Sequence, residues 1–296
     1  MKNLMKLLFV PLLTFFSCTQ QLEGIWDENE PSQEHEIHSL GVCFSRSSIE
    51  TFAEQGITEV GVYVYLEDSM VFGKKLSMES GNIEVALPLG ENLETFVVAN
   101  ADQLIDVDNL SKVVIRQNDN MQKPVYISDI VRFTSDNTVS TLNLELKRLV
   151  GQAVFSPNET DEKLDAITHF NALDVTFTNV GVAYKVKSKE CILENVTVRT
   201  DRSNRFNASV YSFPTSDSGS RTAINVVYLK DGEEVNRIGG VLDAGISFEP
   251  SKRSTVHIDF LNEDFLEEPW MPETRAVASM NVDKLKQSFT IEKSEF

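Results

Sequence analysis

Cys18 has the clearest chemistry in this sequence, because its position allows the thiol to carry a lipid. It follows a short basic start at Lys2 and Lys6, an apolar run over residues 7–16, and a small residue. The apolar run is too short for a membrane-spanning helix, which needs about 20 residues, and the three-part order is typical of a secretory leader. We therefore predict residues 1–17 as a signal peptide and Cys18 as the attachment site of an acyl anchor.

Two segments have residue types that bind metals, but their spacing is wrong. Residues 34–38 (EHEIH) are one residue short of H-E-x-x-H, which needs its histidines four positions apart on one helical face. Residues 102–109 are rich in aspartate, but a calcium loop needs a turn-forming glycine, and residues 101–111 contain none. We predict no metal site and no cofactor.

The sequence also has no recognisable set of catalytic residues. His169 and His257 are the only histidines in the two predicted domains, and His257 lies within a strand pattern. The sequence has no G-x-S-x-G nucleophile elbow, and no cysteine is near an obvious base. We therefore predict that the chain is not an enzyme.

The elements that would position any site are β-strands, because apolar and polar residues alternate with period two. Val60, Val62 and Val64 share one face of a strand, while Tyr63 and Tyr65 share the other. Similar segments recur every 8–12 residues, and helical signals are limited to short stretches such as residues 104–114. Such a pattern is typical of β-sandwiches.

Composition sets the number of domains and excludes some partners. Removal of residues 1–17 leaves 279 residues (296 minus 17), enough for two domains, and changes the formal charge from −18 to −20 because Lys2 and Lys6 are lost. Such an acidic chain is not expected to bind nucleic acid, which requires basic patches. Cys43 and Cys191 fall in different predicted domains, so we do not expect a disulfide.

The predicted parts are a signal peptide (1–17), a lipidated N-terminus and spacer (18–39), a first β-sandwich (40–156), a second β-sandwich (157–270) and a C-terminal tail or strand (271–296).

Three segments, in order, resemble Bacteroidales fimbrillin-type proteins. They are residues 95–101 (TFVVANA), residues 142–154 (LNLELKRLVGQAV) and residues 211–215 (YSFPT). Together with the lipid-attachment signal, they make the chain most similar to the FimB-type anchor subunits of type V pili. The resemblance implies an all-β fold with two tandem transthyretin-like, Greek-key β-sandwich domains.

The resemblance also implies a location and a way of joining partners. Acidic, Gln-rich residues just after Cys18 resemble the surface-export signal of Bacteroidetes lipoproteins, which implies the outer membrane and its outer face. Fimbrial subunits of this family join by donor-strand exchange, in which a strand of one subunit fills a groove in the next. The C-terminal segment alternates in a way that suits such a strand, although it could equally be the last strand of the second sandwich or part of an unstructured tail. The candidate donor-strand residues are Ser288, Phe289, Thr290, Ile291 and Glu292.

One modification site and one alternative function remain open at this level. Asp68-Ser69-Met70 resembles the short O-glycosylation sequon of secreted Bacteroidetes proteins, which makes Ser69 a candidate acceptor. The alternative function is a surface glycan-binding lipoprotein of a polysaccharide-uptake system. Such sites usually stack sugars on exposed aromatic rings, and neither Trp26 nor Trp270 lies within a strand pattern.

Overall fold

A computed structural model gives the fold, and it describes residues 35–44, 52–78, 82–117, 123–136, 141–215, 221–237, 242–258 and 289–295. The predicted all-β fold is confirmed, because the chain is built almost entirely from strands. The helical exceptions within the described residues are a five-residue helix, α1 (Asp161–Asp165), and one 3-10 turn at Arg202–Asn204.

The first sheet folds over to form both layers of the first sandwich. Its strands are β1 (His35–Phe44), β2 (Glu59–Leu66), β3 (Ser69–Ser77), β4 (Asn82–Pro88), β5 (Gly90–Ala99), β8 (Tyr126–Ile127), β9 (Val131–Ser135) and β10 (Thr141–Arg148). They run in the order β3-β2-β5-β8-β10-β1-β4, and β9 pairs with β5. Residues 141–146 of β10 pair parallel with β1, whereas Lys147 and Arg148 pair antiparallel with β8. One strand therefore belongs to both layers.

Two further sheets form the second sandwich. The four-stranded sheet has the order β14-β11-β18-β19, and the seven-stranded sheet has the order β16-β15-β12-β7-β6, with β13 on β12 and β17 on β15. The strands are β6 (Gln103–Ile105), β7 (Val114–Arg116), β11 (Gly151–Pro157), β12 (Ala172–Lys185), β13 (Cys191–Asp201), β14 (Ala208–Ser212), β15 (Thr222–Lys230), β16 (Glu233–Arg237), β17 (Leu242–Ile246), β18 (Lys252–Ile258) and β19 (Phe289–Glu295).

The two sandwiches repeat one strand plan. In the first, β2 pairs with β3 and β5, and β1 lies between β4 and a parallel partner, β10. In the second, β12 pairs with β13 and β15, and β11 lies between β14 and a parallel partner, β18. By position and pairing, β10 therefore corresponds to β18. The strand β19, which pairs with β18, has no described counterpart beside residues 141–146 of β10.

Each sandwich encloses its own apolar core. Val60, Val62 and Val64 of β2 pack in the first core with Leu144 and Leu146 of β10, as the alternation of β2 predicts. The second core is built around the inward face of β12, β15 and β18, and includes Phe177 and Val256, which are fully buried. Alternation puts apolar residues on one face of each strand, and burial of that face stabilises both sandwiches.

A third apolar cluster lies between the sandwiches. This inter-sandwich core consists of Tyr65, Phe96, Val98, Leu110, Val113, Ile115, Val125, Leu149, Val150, Tyr184, Val186 and Phe213. It covers the Tyr65 face of β2, which is opposite to the face that carries Val64. The link from β10 to β11, Leu149-Val150, is itself buried in it. The two sandwiches are therefore packed together through side chains and not only joined by the chain.

Two connections in the second sandwich follow from local conformation. Asp231 and Gly232 form the turn that joins β15 to β16, and both have positive φ, 52° and 90°. The helical tendency over residues 104–114 was wrong, because this stretch runs from β6 through turns into β7. Leu104 and Ile105 pair with Ile115 and Val114 in the β6–β7 ladder, so their backbones pair between strands and not within a helix.

The predicted domain boundary at residue 156 stays a prediction. The sheets change between β10 and β11, and β7, which precedes that position, pairs with β12 of the second sandwich. All described residues belong to one compact unit that begins at His35. In the described part of the chain, no helix is both long and apolar enough to cross a membrane.

Candidate functional site

The predicted donor strand lies at the edge of the four-stranded sheet. Ser288 is outside the described residues, while Phe289, Thr290, Ile291 and Glu292 belong to β19. This strand pairs antiparallel with β18 along its whole length, and no strand of the described ranges lies beyond it. The segment thus forms the last strand of the second sandwich in this structure, and its donation to a partner stays a prediction.

The register of β19 against β18 is defined residue by residue. Ile291 pairs with Val256, and Phe289 pairs with Ile258. Val256 is fully buried, so the backbone of β19 pairs with a core residue of β18 at Ile291. Thr290 pairs with His257.

The corresponding edge of the first sandwich is formed by β10. On the side away from β1, β8 pairs with Lys147 and Arg148, and no described strand continues beside residues 141–146. Leu144 and Leu146 are buried in the first core, and Leu142 is half-buried against it. Asn143 and Glu145 are exposed on the other face. This strand edge was not singled out from the sequence.

Polar contacts hold the end of β10 in place. Arg148 donates to the Tyr126 hydroxyl, with Nη2 at 2.7 Å, and to Gln55 Oε1 at 2.8 Å. Its guanidinium also lies over the Tyr126 ring, 5.4 Å from the centroid. Lys147 Nζ is 2.5 Å from Asp129 Oδ2, and this hydrogen bond lowers the pKa of Asp129. The point where β10 passes between the two layers is therefore fixed by side chains.

Ser69 lies at an exposed turn that is well anchored. It is exposed and begins β3, directly after Asp68, whose φ is +69°. The carboxylate of Asp68 pairs with Lys187 of the second sandwich at 2.5 Å, and its carbonyl accepts from the amide of Leu110 at 2.8 Å. The Ser69 side chain is thus exposed next to a residue that contacts both Lys187 and Leu110. Its glycosylation stays a prediction.

The aspartate-rich loop packs against this hairpin. The amide of Met70 donates to the Asp108 carbonyl at 3.0 Å, and Ser111 donates to Asn109 Oδ1 from both its amide and its hydroxyl. The loop therefore supports the Ser69 turn. Within the described ranges, no group of three His, Cys, Asp or Glu side chains could hold a metal ion.

The two N-terminal histidines belong to a strand. His35 and His38 lie in β1, where their backbones pair with Pro88 and Val85 of β4. Cys18 lies outside the described residues. Cys191 is half-buried, with its thiol 2.8 Å from the carbonyl of Pro214.

The inter-sandwich core contains a feature that sequence reasoning missed. Tyr65 is fully buried, and its ring is parallel to Phe96, with centroids 6.1 Å apart. Its hydroxyl has no hydrogen-bond partner among the described residues. Burial is the main cause of the raised pKa of Tyr65, and the charges of Tyr63 and Asp108 raise it further. The only signal in the sequence was that both faces of β2 are apolar or aromatic.

Comparisons with known proteins address the fold. No protein-family profile matches the chain, and no curated protein matches it. Among solved structures, the chain is similar to a candidate polysaccharide-binding protein from Bacteroides thetaiotaomicron, with 10% identity, a TM-score of 0.51, and coverage of 75% of this chain and 91% of that one.

Two further structures have the same fold. A candidate adhesin from Bacteroides ovatus has 12% identity and a TM-score of 0.51, with coverage of 76% of this chain and 88% of that one. A candidate cell adhesion protein from Bacteroides eggerthii has 12% identity and a TM-score of 0.50, with coverage of 90% and 98%. At these identities the likeness establishes a shared fold.

Proposed function

We propose that this protein is a lipid-anchored subunit of a surface fimbria, with Cys18 holding it to the outer membrane and a C-terminal strand joining it to a partner subunit. The fold shared with Bacteroides adhesion proteins supports a surface role. The three sequence segments that resemble fimbrillin-type proteins support the fimbrial assignment. The anchor position rests on the leader and Cys18.

The observation that carries the joining role is the position of β19. It is a seven-residue edge strand, and it follows β18 after 30 intervening residues (288 minus 259, plus 1). Strand addition to a sheet edge gives affinity through main-chain hydrogen bonds and register through alternate side chains. Phe289 and Ile291 alternate with Thr290 and Glu292 along this strand, which suits such a register. A strand at the edge can be exchanged without breaking the interior of a sheet.

The anchor is tested by replacing Cys18 with alanine in the full-length chain on cells. We expect the variant protein to leave the membrane fraction, and pili to be released into the medium, because a single covalent lipid is the proposed attachment. Cys191→Ala is the matched control, since Cys191 lies within the fold, and it should leave both distributions unchanged. Pili that remain attached in normal number with Cys18→Ala would contradict the anchor role.

The second candidate is glycan binding at the cell surface. It is favoured by the similarity to the candidate polysaccharide-binding protein, which covers 91% of that chain. Affinity electrophoresis in gels that contain soluble polysaccharides separates the two functions. Glycan binding would be favoured over the fimbrial role by two results together. The protein would migrate more slowly in a gel that contains a polysaccharide, and Cys18→Ala would have no effect on pilus attachment.

A further inference from the structure

Each sandwich contains one parallel strand pair, and the two pairs have the same length. Residues 39–44 of β1 pair with residues 141–146 of β10, and residues 152–157 of β11 pair with residues 253–258 of β18. Each of these ladders has six residue pairs. Because the paired strands run in the same direction, the start of one strand and the end of the other lie at opposite ends of the ladder. A pull on those two points is directed along the strands.

The direction of a pull decides how the hydrogen bonds of a ladder break. When two strands are opened from one end, the bond at that end breaks first and the others follow singly. When the strands are pulled lengthwise in opposite directions, all backbone hydrogen bonds of the ladder share the force and must break together. A single hydrogen bond contributes little net stability in water, so a ladder resists force well only when its bonds share it.

The chain enters and leaves the first sandwich at opposite ends of the β1–β10 ladder. The segment that carries Cys18 leads into β1 at His35, which lies beyond the first residue pair of the ladder. The chain leaves β10 at Arg148, beyond the last residue pair, and continues through Leu149-Val150 into β11. Tension between Cys18 and the second sandwich therefore pulls this ladder lengthwise.

The β11–β18 ladder has the same arrangement in the second sandwich. The strand β11 begins directly after the link from β10, and β18 ends at Ile258, at the opposite end of the ladder. The carbonyl of Val150 accepts from the amide of Ser251 at 3.1 Å, and Arg253 Nε donates to Gln152 Oε1 at 2.7 Å. These two hydrogen bonds hold together the end of the ladder at which the chain enters.

The first strand of each pair is also held on its other side. β1 lies between β10 and β4, and β11 lies between β18 and β14, so lengthwise withdrawal of either strand breaks two ladders at once. Ala153 and Phe155 of β11 are fully buried in the second core, and Leu144 and Leu146 of β10 are buried in the first. Sliding these strands would also move apolar side chains within a close-packed interior, which resists such displacement.

We propose that the β1–β10 and β11–β18 ladders, here called the shear ladders, keep this protein folded when the chain is pulled between Cys18 and the second sandwich. They act in series, because the link Leu149-Val150 ends one and begins the other. The inference rests on the anchor part of the proposed function, since a lipid at Cys18 places the chain under tension when a fimbria is pulled away from the cell. The resistance of the ladders to force is a property of the fold and can be measured without the anchor.

Single-molecule force spectroscopy through pairs of cysteine handles tests the first shear ladder. The parent is the full-length protein with its three cysteines replaced by alanine: Cys18, Cys43 and Cys191. Both variants carry Glu145→Cys, because Glu145 is exposed on β10 and its replacement leaves the core intact. The second handle is Ser32→Cys, before β1, or Ser45→Cys, directly after β1. The first variant is pulled lengthwise, and the second is opened from one end.

The two pulling directions should give different unfolding forces in the same fold. Since the six residue pairs must break together in the lengthwise direction, we expect a force at least about twofold higher from Ser32 than from Ser45 at equal pulling speed. A ladder that contributes only to equilibrium stability gives equal forces, because the two variants share one fold. The urea midpoints of both variants should match that of the parent. If Glu145→Cys lowers the midpoint, Asn143→Cys, which is also exposed on β10, serves as the common handle.

The second shear ladder is tested in the same way with another set of handles. Asn158→Cys, directly after β11, is common to both variants, and Asn158 is exposed. Lys252→Cys at the start of β18 gives the lengthwise pull, whereas Asp259→Cys directly after β18 opens the ladder from one end. We expect the same order of forces, with the lengthwise pull at least about twofold higher.

The outcomes separate this inference from the proposed function. Equal forces in the two directions, or a lower force in the lengthwise direction, overturn the role of the ladder concerned even if Cys18→Ala releases pili from cells. A higher lengthwise force at both ladders supports the inference, and it does so whether pili are released by Cys18→Ala or stay attached. Pili that stay attached overturn only the anchor.

Discussion

Removal of the Tyr65 hydroxyl should make the protein more stable. The side chain is fully buried in the inter-sandwich core, and its hydroxyl has no hydrogen-bond partner among the described residues. A buried polar group without a partner loses its hydrogen bonds to water on folding and costs about 1–3 kcal/mol. Tyr65→Phe removes that cost and keeps the ring that packs in parallel on Phe96. Allowing for the small gap that the lost oxygen leaves, we expect the free energy of unfolding to rise by about 1–2 kcal/mol.

Tyr126→Phe is the matched control, because it removes the same atom from another buried tyrosine. Tyr126 is 3% exposed, and its hydroxyl accepts from Arg148 and donates to Gln55. Hydrogen bonds to a charged group contribute about 1.5–3 kcal/mol. We therefore expect Tyr126→Phe to lower the free energy of unfolding by about that amount.

Urea unfolding followed by far-ultraviolet circular dichroism compares the two variants with the unmodified protein. The urea concentrations at the unfolding midpoint should move in opposite directions for the two variants. The slope of unfolding free energy against urea concentration should stay constant, which indicates a change in stability and not in compactness. The reasoning would be refuted if Tyr65→Phe lowered the free energy of unfolding by about 1 kcal/mol or more, which is the typical contribution of one hydrogen bond. It would mean that the hydroxyl has a partner in the folded protein.

Two other predictions concern close packing and alkaline pH. A Cβ on Gly151 would lie 2.5 Å from the backbone oxygen of Glu249, so Gly151→Ala should destabilise the protein by about 1–3 kcal/mol or more. At Gly232 an added Cβ would meet no atom within 4 Å, although φ is positive. Gly232→Ala is therefore the control, and it should lower the thermal unfolding temperature less than Gly151→Ala does. Burial raises the pKa of both Tyr65 and Tyr228. The unfolded chain therefore loses these protons first, and stability should fall as pH rises above about 10. Tyr65→Phe should reduce the slope of stability against pH in that range, and an unchanged slope would contradict the role of Tyr65.

The alternation in β2 shows how far sequence patterns reach. Period two correctly separated Val60, Val62 and Val64 from Tyr63 and Tyr65. It could not show that both faces are covered, because a local pattern does not contain the surface that packs against it. The second face is buried in the inter-sandwich core, which includes Tyr184 of the second sandwich, far away in the sequence.

The β10–β11 segment shows a similar division. Its apolar character and the interruption at Lys147-Arg148 were visible in the sequence. Residues 141–146 pair with β1, whereas Lys147 and Arg148 pair with β8. The sequence of β10 itself does not specify either partner strand. The absence of a described strand on the outer edge of β10, and the presence of β19 at the equivalent edge of β18, become visible only when the two sandwiches are compared.

The sequence alone determined the covalent and local properties of this protein. It identifies Cys18 as the candidate lipid site, the strands by their period, and the face of the C-terminal segment to which Phe289 and Ile291 belong. Tertiary structure decided which edge each strand meets and which faces are enclosed. The physical reason is that strand pairing uses backbone groups that every residue has, so residue types do not specify the partner strand. Long-range packing makes that choice, and it places β19 beside β18.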